Sequence, residues 1–207
     1  MSRFIYIFRH GQTDWNAEGR IQGHIDIPLN ETGREQARKL IPVLKKLKVE
    51  AFLSSDLSRA SETAQIIADE LGGLPVHQDK DLREIHLGKI EGLSRSEIET
   101  LLGVDFSERL RSNPLSDSDV ALLGSESAEQ VTGRAIRAIR NFFENTSFKT
   151  IGIATHGGVI RRVIQHTLLG RDYPAPIPNG IVYPFTFTES TTDKTNLSFD
   201  GITRITF

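Results

Sequence analysis

Short apolar runs alternate along the chain with amphipathic stretches of helical period, and this alternation predicts the layout. Phe4-Ile5-Tyr6-Ile7-Phe8 is a β-branched and aromatic run too short for a stable helix, so it reads as a buried strand. Asn30-Glu31-Thr32-Gly33 can then cap a helix whose apolar positions Ala37, Leu40, Ile41, Leu44 and Leu47 recur at helical spacing. Pro42 is expected to kink or interrupt that helix. Ala51-Phe52-Leu53-Ser54 forms a second strand, followed by a helix with Ala64, Ile67, Ala68 and Leu71 on one face and a stop at Gly72-Gly73. A third strand falls around Val76 to Gln78.

Between Leu93 and Gly124 the pattern turns polar, with Asn113-Pro114 and Asp117-Ser118-Asp119, and short helical hints alternate with loop signals. This stretch reads as an insertion over a site, with Asp117 to Asp119 a solvated acidic loop. Ser127 with Gln130 makes a capping box for a helix reaching about Asn145, with Val131, Ala135, Ala138, Ile139 and Phe142 facing the core. The strand Thr150 to Thr155 then delivers His156-Gly157-Gly158 and a helix from Val159 to Leu169. The tail is β-rich, with a hairpin-like turn near Thr191 to Lys194, and adds edge strands. Strand and helix alternation predicts an α/β fold, a three-layer α/β/α sandwich whose mostly parallel central sheet carries helices on both faces. One domain, residues 1–207 with the insertion at about 93–124, suits a chain of this length.

Composition narrows the partners. A net charge of −2 with no lysine or arginine stripe argues against nucleic acid. No apolar stretch approaches the roughly 20 residues that span a bilayer, so no membrane partner is expected. The absence of cysteine removes thiolate nucleophiles, disulfides and thiolate metal sites, and fits a cytoplasmic protein.

Three strand ends carry chemistry suited to phosphate: Arg9-His10-Gly11, Ser54 to Arg59, and His156-Gly157. If the strands are parallel, all three junctions fall on one edge of the sheet, where open α/β sheets form ligand crevices. A neutral imidazole can attack phosphorus, guanidinium groups can fork onto phosphoryl oxygens, and a helix N-terminus adds N–H donors. Other histidines, His24, His77, His86 and His166, read as surface or packing residues, with His86 the one that could reach the pocket. Arg161 and Arg162 are adjacent on a helix, so at most one is expected to face the site, and both read as structural or surface charge.

The chain also carries Arg9-His10-Gly11-x-Thr13, Asn16, Gln22-Gly23, Ser54-Ser55-Asp56-Leu57-x-Arg59-Ala60, Leu82-x-Glu84, Gly88 with Glu91-Gly92, Gly124-x-Glu126-Ser127 and Thr155-His156-Gly157-Gly158 in that order. In this ordered set it resembles the histidine phosphatase superfamily, in the phosphoglycerate-mutase-like branch that includes alpha-ribazole phosphatases and broad-specificity phosphatases. The resemblance implies that His10 attacks a phosphoryl group and becomes a phosphohistidine that water cleaves. It implies that Arg9, Arg59 and His156 hold the phosphoryl oxygens, with Asn16 and the Gly157 N–H as further donors and Gln22 and Gly23 on the pocket rim. Glu84 would be the general acid, with Glu91 the competing carboxylate. No cofactor and no metal are implied, because arginines neutralise the charge.

Within that family, the mutases carry Glu-Arg-x-Tyr at the acid position, whereas this chain has Glu84-Ile85-His86-Leu87. The expected activity is therefore hydrolysis of a small phosphorylated metabolite. Cofactor-dependent phosphoglycerate mutase is the alternative, and a phosphoprotein or phosphohistidine phosphatase with a regulatory role a further one. Specificity is expected in residues 93–124, with Arg95, Arg109 and Arg111 as the cations of that stretch. The oligomeric state, monomer or homodimer, is left open.

Overall fold

The computed structural model describes residues 2–106, 110, 115–168, 177–188 and 196–199. Six strands form one sheet: β1 (Ser2–Arg9), β2 (Ala51–Ser54), β3 (Val76–Gln78), β4 (Thr150–Thr155), β5 (Val182–Thr188) and β6 (Asn196–Phe199), in spatial order β3-β2-β4-β1-β5-β6. The first four in that row are mutually parallel, and β5 and β6 add antiparallel. The sheet is thus mixed, with a parallel half that carries the strand-end motifs. The turn expected near Thr191 to Lys194, Leu169 and the end of the tail lie outside the described residues.

Seven helices are described: α1 (Asp14–Glu18), α2 (Glu31–Lys46), α3 (Ser58–Glu70), α4 (Arg95–Leu102), α5 (Asp117–Leu123), α6 (Ala128–Glu144) and α7 (Gly157–Thr167). Side chains alternate across a strand, so β1 serves two cores at once. Ile5 and Ile7 join Leu53, Ile151 and Ile153 under α6 and α7, whereas Phe8 joins Phe52 and Ala154 under α2 and α3. Helices therefore cover both faces, as the α/β/α layering requires. A separate apolar cluster of Ile90, Ile98, Phe106 and Leu123 gathers the 93–124 stretch outside those two cores.

Three local expectations are corrected. Helix α2 runs unbroken from Glu31 to Lys46 with Pro42 inside it. Pro42 and Arg38 are both exposed, so the Arg38 carbonyl that loses its N–H partner faces water. The Asp117 to Asp119 stretch is no loop: Ser116 caps α5, and its hydroxyl and backbone N–H donate to Asp119 in a capping box. Helix α7 also starts at Gly157, two residues earlier than its apolar pattern suggests, which makes His156 its N-cap residue.

Candidate active site

Register brings the motifs together. Arg9 lies level with Thr155, and Ser54 with Ala154, so β1, β2 and β4 end side by side. The backbone N–H of His10 still donates to Thr155 O (2.9 Å), and that of Ser55 to Ala154 O (3.0 Å). Beyond those bonds the chain leaves the sheet. Gly11 is required there because a Cβ would stand 2.2 Å from the Gly33 carbonyl oxygen at the start of α2. Its N–H donates to Thr63 Oγ1 (3.0 Å), which pins the turn to α3.

His10 is buried, and its Nδ1 lies 2.6 Å from Gly11 O. A carbonyl only accepts, so Nδ1 carries the proton and Nε2 keeps its lone pair. Burial, with Arg9 and Arg59 adding to it, pushes the imidazole well below the ordinary histidine value, so it is neutral at pH 7. The ring of His156 lies 5.1 Å away, centroid to centroid. Arg59 Nε donates to His156 Nδ1 (3.3 Å), and since guanidinium has no acceptor, the His156 proton resides on Nε2. That Nε2 and Arg9 Nε are buried and have no partner among the described residues. A buried donor needs a hydrogen-bond acceptor, and both of these lie beside His10.

Arg59 sits in the first turn of α3, fully buried, and donates through Nη1 to Ile25 O (2.9 Å) and through Nη2 to Gly23 O (2.8 Å). Gly23 takes a positive φ of 51°, and a Cβ there would meet the Glu91 carboxylate at 2.1 Å. Arg9 Nη1 donates to Ile177 O (3.0 Å). Burial draws both guanidinium groups below their ordinary values, with Glu84 opposing it.

Thr13 caps α1 in a reciprocal box with Asn16: the Asn16 N–H donates to Thr13 Oγ1, and the Thr13 N–H to Asn16 Oδ1 (3.2 Å). The amide NH2 of Asn16 is left for the cavity that the residue lines. Gln22 Oε1 accepts from Thr13 Oγ1 (3.0 Å), which likewise frees its NH2 end.

Glu84 approaches from the loop after β3. Its Oε1 accepts from the Ile85 N–H (2.9 Å) and its Oε2 from the Gly158 N–H (3.2 Å), at the amino end of α7. Gly157 packs beside the Arg9 guanidinium, where a Cβ would lie 3.6 Å from Nε. Glu91 faces elsewhere, with Oε1 accepting from the His24 and Leu87 N–H groups and lying 2.9 Å from His86 Nδ1.

A cavity of about 260 Å³ opens over this edge. Arg9, His10, Asn16, Gln22, Gly23, Arg59 and Glu84 all line it, with His156 buried immediately behind. Arg161 and Arg162 line it too, against the expectation that at most one could. His86 does not line it; its ring lies 5.1 Å from that of His24, tilted by 47°, and His24 Nε2 is 2.8 Å from Glu84 O. Arg95 pairs with Glu99 (2.6 Å) on α4, away from the cavity, while Arg109 and Arg111 lie outside the described residues.

One residue was not singled out from sequence. Arg134 on α6, nearly buried, donates to the carbonyl oxygens of Asp81, Arg83 and Glu84 and makes a two-point pair with Glu126 at 2.8 Å. Glu126 Oε2 also accepts from the His86 N–H. One guanidinium thus ties three carbonyls of the Glu84 loop to α6. An arginine inside an amphipathic helix carries no signal in sequence that distinguishes it from a surface charge.

Residues 5–197 match the profile of the histidine phosphatase superfamily (branch 1). Phosphoglycerate mutase-like protein 4 of Arabidopsis thaliana is 41% identical over 162 residues, 78% of this chain and 69% of that one. The metal-independent phosphoserine phosphatase of the same plant is 35% identical over 162 residues, 77% and 66% of the two chains. A mycobacterial glucosyl-3-phosphoglycerate phosphatase, solved in complex with VO3, superposes with a TM-score of 0.78 at 28% identity, over 96% of this chain and 97% of that one. A family match across almost the whole chain, on a sheet edge that gathers the motifs in one cavity, shows that this chain belongs to the histidine phosphatase superfamily, branch 1.

Proposed function

We propose that the protein is a metal-independent phosphomonoesterase that hydrolyses a small phosphorylated metabolite through a phosphohistidine on His10. The observation that carries this reading is the pair of buried imidazoles: His10 offers a lone pair on Nε2, and His156 offers an unpartnered Nε2–H beside it. One is built as a nucleophile and the other as a donor to a phosphoryl oxygen.

In the first step His10 Nε2 forms a bond to phosphorus, the bond from phosphorus to the ester oxygen breaks, and Glu84 gives its proton to that oxygen. Arg9, Arg59, His156 and Asn16 bear the charge on the three equatorial oxygens. In the second step water attacks phosphorus, its proton passes to Glu84, and the bond from phosphorus to Nε2 breaks to restore His10. Phosphatases among the relatives, one of them described as metal-independent, support hydrolysis. Mutase-named relatives keep phosphoglycerate interconversion as the second reading.

Hydrolysis of para-nitrophenyl phosphate with EDTA present tests the proposal. Turnover should survive the chelator and fall about 10³-fold or more in His10→Ala. Activity abolished by EDTA, or retained in His10→Ala, overturns it. Interconversion of phosphoglycerates without phosphate release would establish the mutase instead, and activity on a phosphoprotein alone would establish the regulatory role.

A further inference from the structure

The segment Gly23-His24-Ile25 joins the two halves of the site. Arg59 Nη2 donates to Gly23 O and Nη1 to Ile25 O, so the guanidinium clamps the backbone on both sides of His24. The His24 N–H donates to Glu91 Oε1 (3.1 Å), and the Ile25 N–H to Gln22 O (3.0 Å), which closes the segment into a turn. Gln22 and Gly23 line the cavity, whereas His24 does not. Its side chain reaches instead toward the loop after β3, where Nε2 lies 2.8 Å from Glu84 O. A carbonyl only accepts, so this nitrogen carries a proton and donates it. Glu126 Oε2 stands 3.9 Å from the same nitrogen and already accepts from Arg134 Nη2 and the His86 N–H.

Glu84 O therefore accepts from two directions. Arg134 Nη2 reaches it from α6 (2.8 Å) and His24 Nε2 from the Arg59 side, and together they use both lone pairs of the oxygen. The peptide unit is planar, so this carbonyl and the Ile85 N–H turn as one body. That same N–H holds Glu84 Oε1 (2.9 Å). A rotation of the carbonyl would swing the donor that holds the carboxyl group. Arg134 fixes this peptide relative to α6, which carries none of the groups assigned to the phosphoryl oxygens. His24 fixes it relative to Arg59, which is one of them.

We propose that His24 is a positioning residue for the general acid: its bond to Glu84 O sets the Glu84 carboxyl group at a fixed place relative to the phosphoryl group on Arg59. It touches neither the substrate nor the reacting atoms. The role rests on the phosphatase reading for Glu84 as proton donor. Esters that differ in their need for that proton separate positioning from packing. Para-nitrophenol leaves readily as an anion, whereas benzyl alcohol needs the proton. The test compares kcat/KM on para-nitrophenyl phosphate and on benzyl phosphate, since this quantity covers only the steps up to breaking of the ester bond.

His24→Leu should lower kcat/KM on benzyl phosphate about 10-fold or more, and on para-nitrophenyl phosphate about 3-fold or less. The side chain is only partly buried and Glu84 O keeps its bond to Arg134, so the variant should fold. His24→Gln, whose amide nitrogen reaches the place of Nε2, should bring benzyl phosphate back to within about 3-fold of the unmutated protein. Equal losses on both esters, or a loss on benzyl phosphate that glutamine does not repair, overturns the role and leaves His24 a packing residue. Glu84→Gln in the same assay tests the reading beneath it, and should discriminate against benzyl phosphate more strongly than His24→Leu does. If Glu84→Gln treats the two esters alike, Glu84 is not the acid, and the role falls with that assignment while the fault lies outside His24. Absence of phosphate release from either ester by the unmutated protein would remove the phosphatase reading and the role together.

Discussion

His10 and His156 are histidines buried among cations, and this makes the stability of the protein depend on pH. Both are held well below the ordinary histidine value, first by burial and then by neighbouring arginines. Below about pH 6.5 the unfolded chain takes up a proton at each position and the folded chain does not. Their contribution is therefore fully present above that pH and is lost as pH falls through 6.5 toward the depressed folded values. Each costs about 1.4 kcal/mol per pH unit in that window. Urea denaturation should show a falling midpoint from pH 6.5 to pH 5.5, and a shallower fall in His156→Gln. A midpoint that stays constant over this range would mean that the two imidazoles are solvated. The same depression fixes the catalytic consequence: the acid limb of kcat/KM should lie below pH 6.5, because His10 stays neutral there.

Between elements, precision comes from a few contacts that join loops to helices. Arg134 replaced by methionine would take the guanidinium away from Glu126 and from three loop carbonyls. Removing one partner of a buried pair costs about 3–5 kcal/mol, and the displaced Glu84 should lower kcat as well. Arg134→Lys should restore little of either, since an ammonium lacks the planar fork. Denaturation together with steady-state kinetics reads both effects, and a variant with native stability and kcat would deny Arg134 its positioning role. Gly33→Ala should cost about 1–3 kcal/mol, because its Cβ would stand 2.1 Å from the Gln12 carbonyl oxygen, where α2 meets the loop after β1.

These contacts also mark where the sequence stops being informative. Strand ends, helix caps and the shared edge of β1, β2 and β4 were legible, because local composition and the parallel connection rule determine them. Arg134 and the Arg161–Arg162 pair were not. Each depends on which face of a helix turns inward, and a polar residue is as common at a cavity as at the surface. Pro42 misled for a related reason: its cost depends on whether the carbonyl it orphans meets water, which is a matter of packing.

At the scale of the molecule, the site is roofed by material that does not share its core. The cluster of Ile90, Ile98, Phe106 and Leu123 is separate from both sheet cores, yet its outer members Ile21, Leu87, Leu110 and Leu115 are the apolar wall of the cavity. A satellite cluster of this size should open on its own, at a lower free energy than the sheet. Truncating a buried isoleucine to alanine costs about 2–5 kcal/mol. In Ile98→Ala that loss should fall on α4 and α5, speeding their amide exchange about 30-fold or more, with β1 and β4 changed by less than about 2-fold. The wall would loosen with the cluster, so KM should rise while the reacting groups, held by the sheet edge and by Arg134, keep kcat within about 3-fold. If the strands lost protection in step with α4 and α5, the 93–124 stretch would be part of one cooperative unit. Ile98→Ala should then lower the midpoint of global unfolding by the full cost of the cavity.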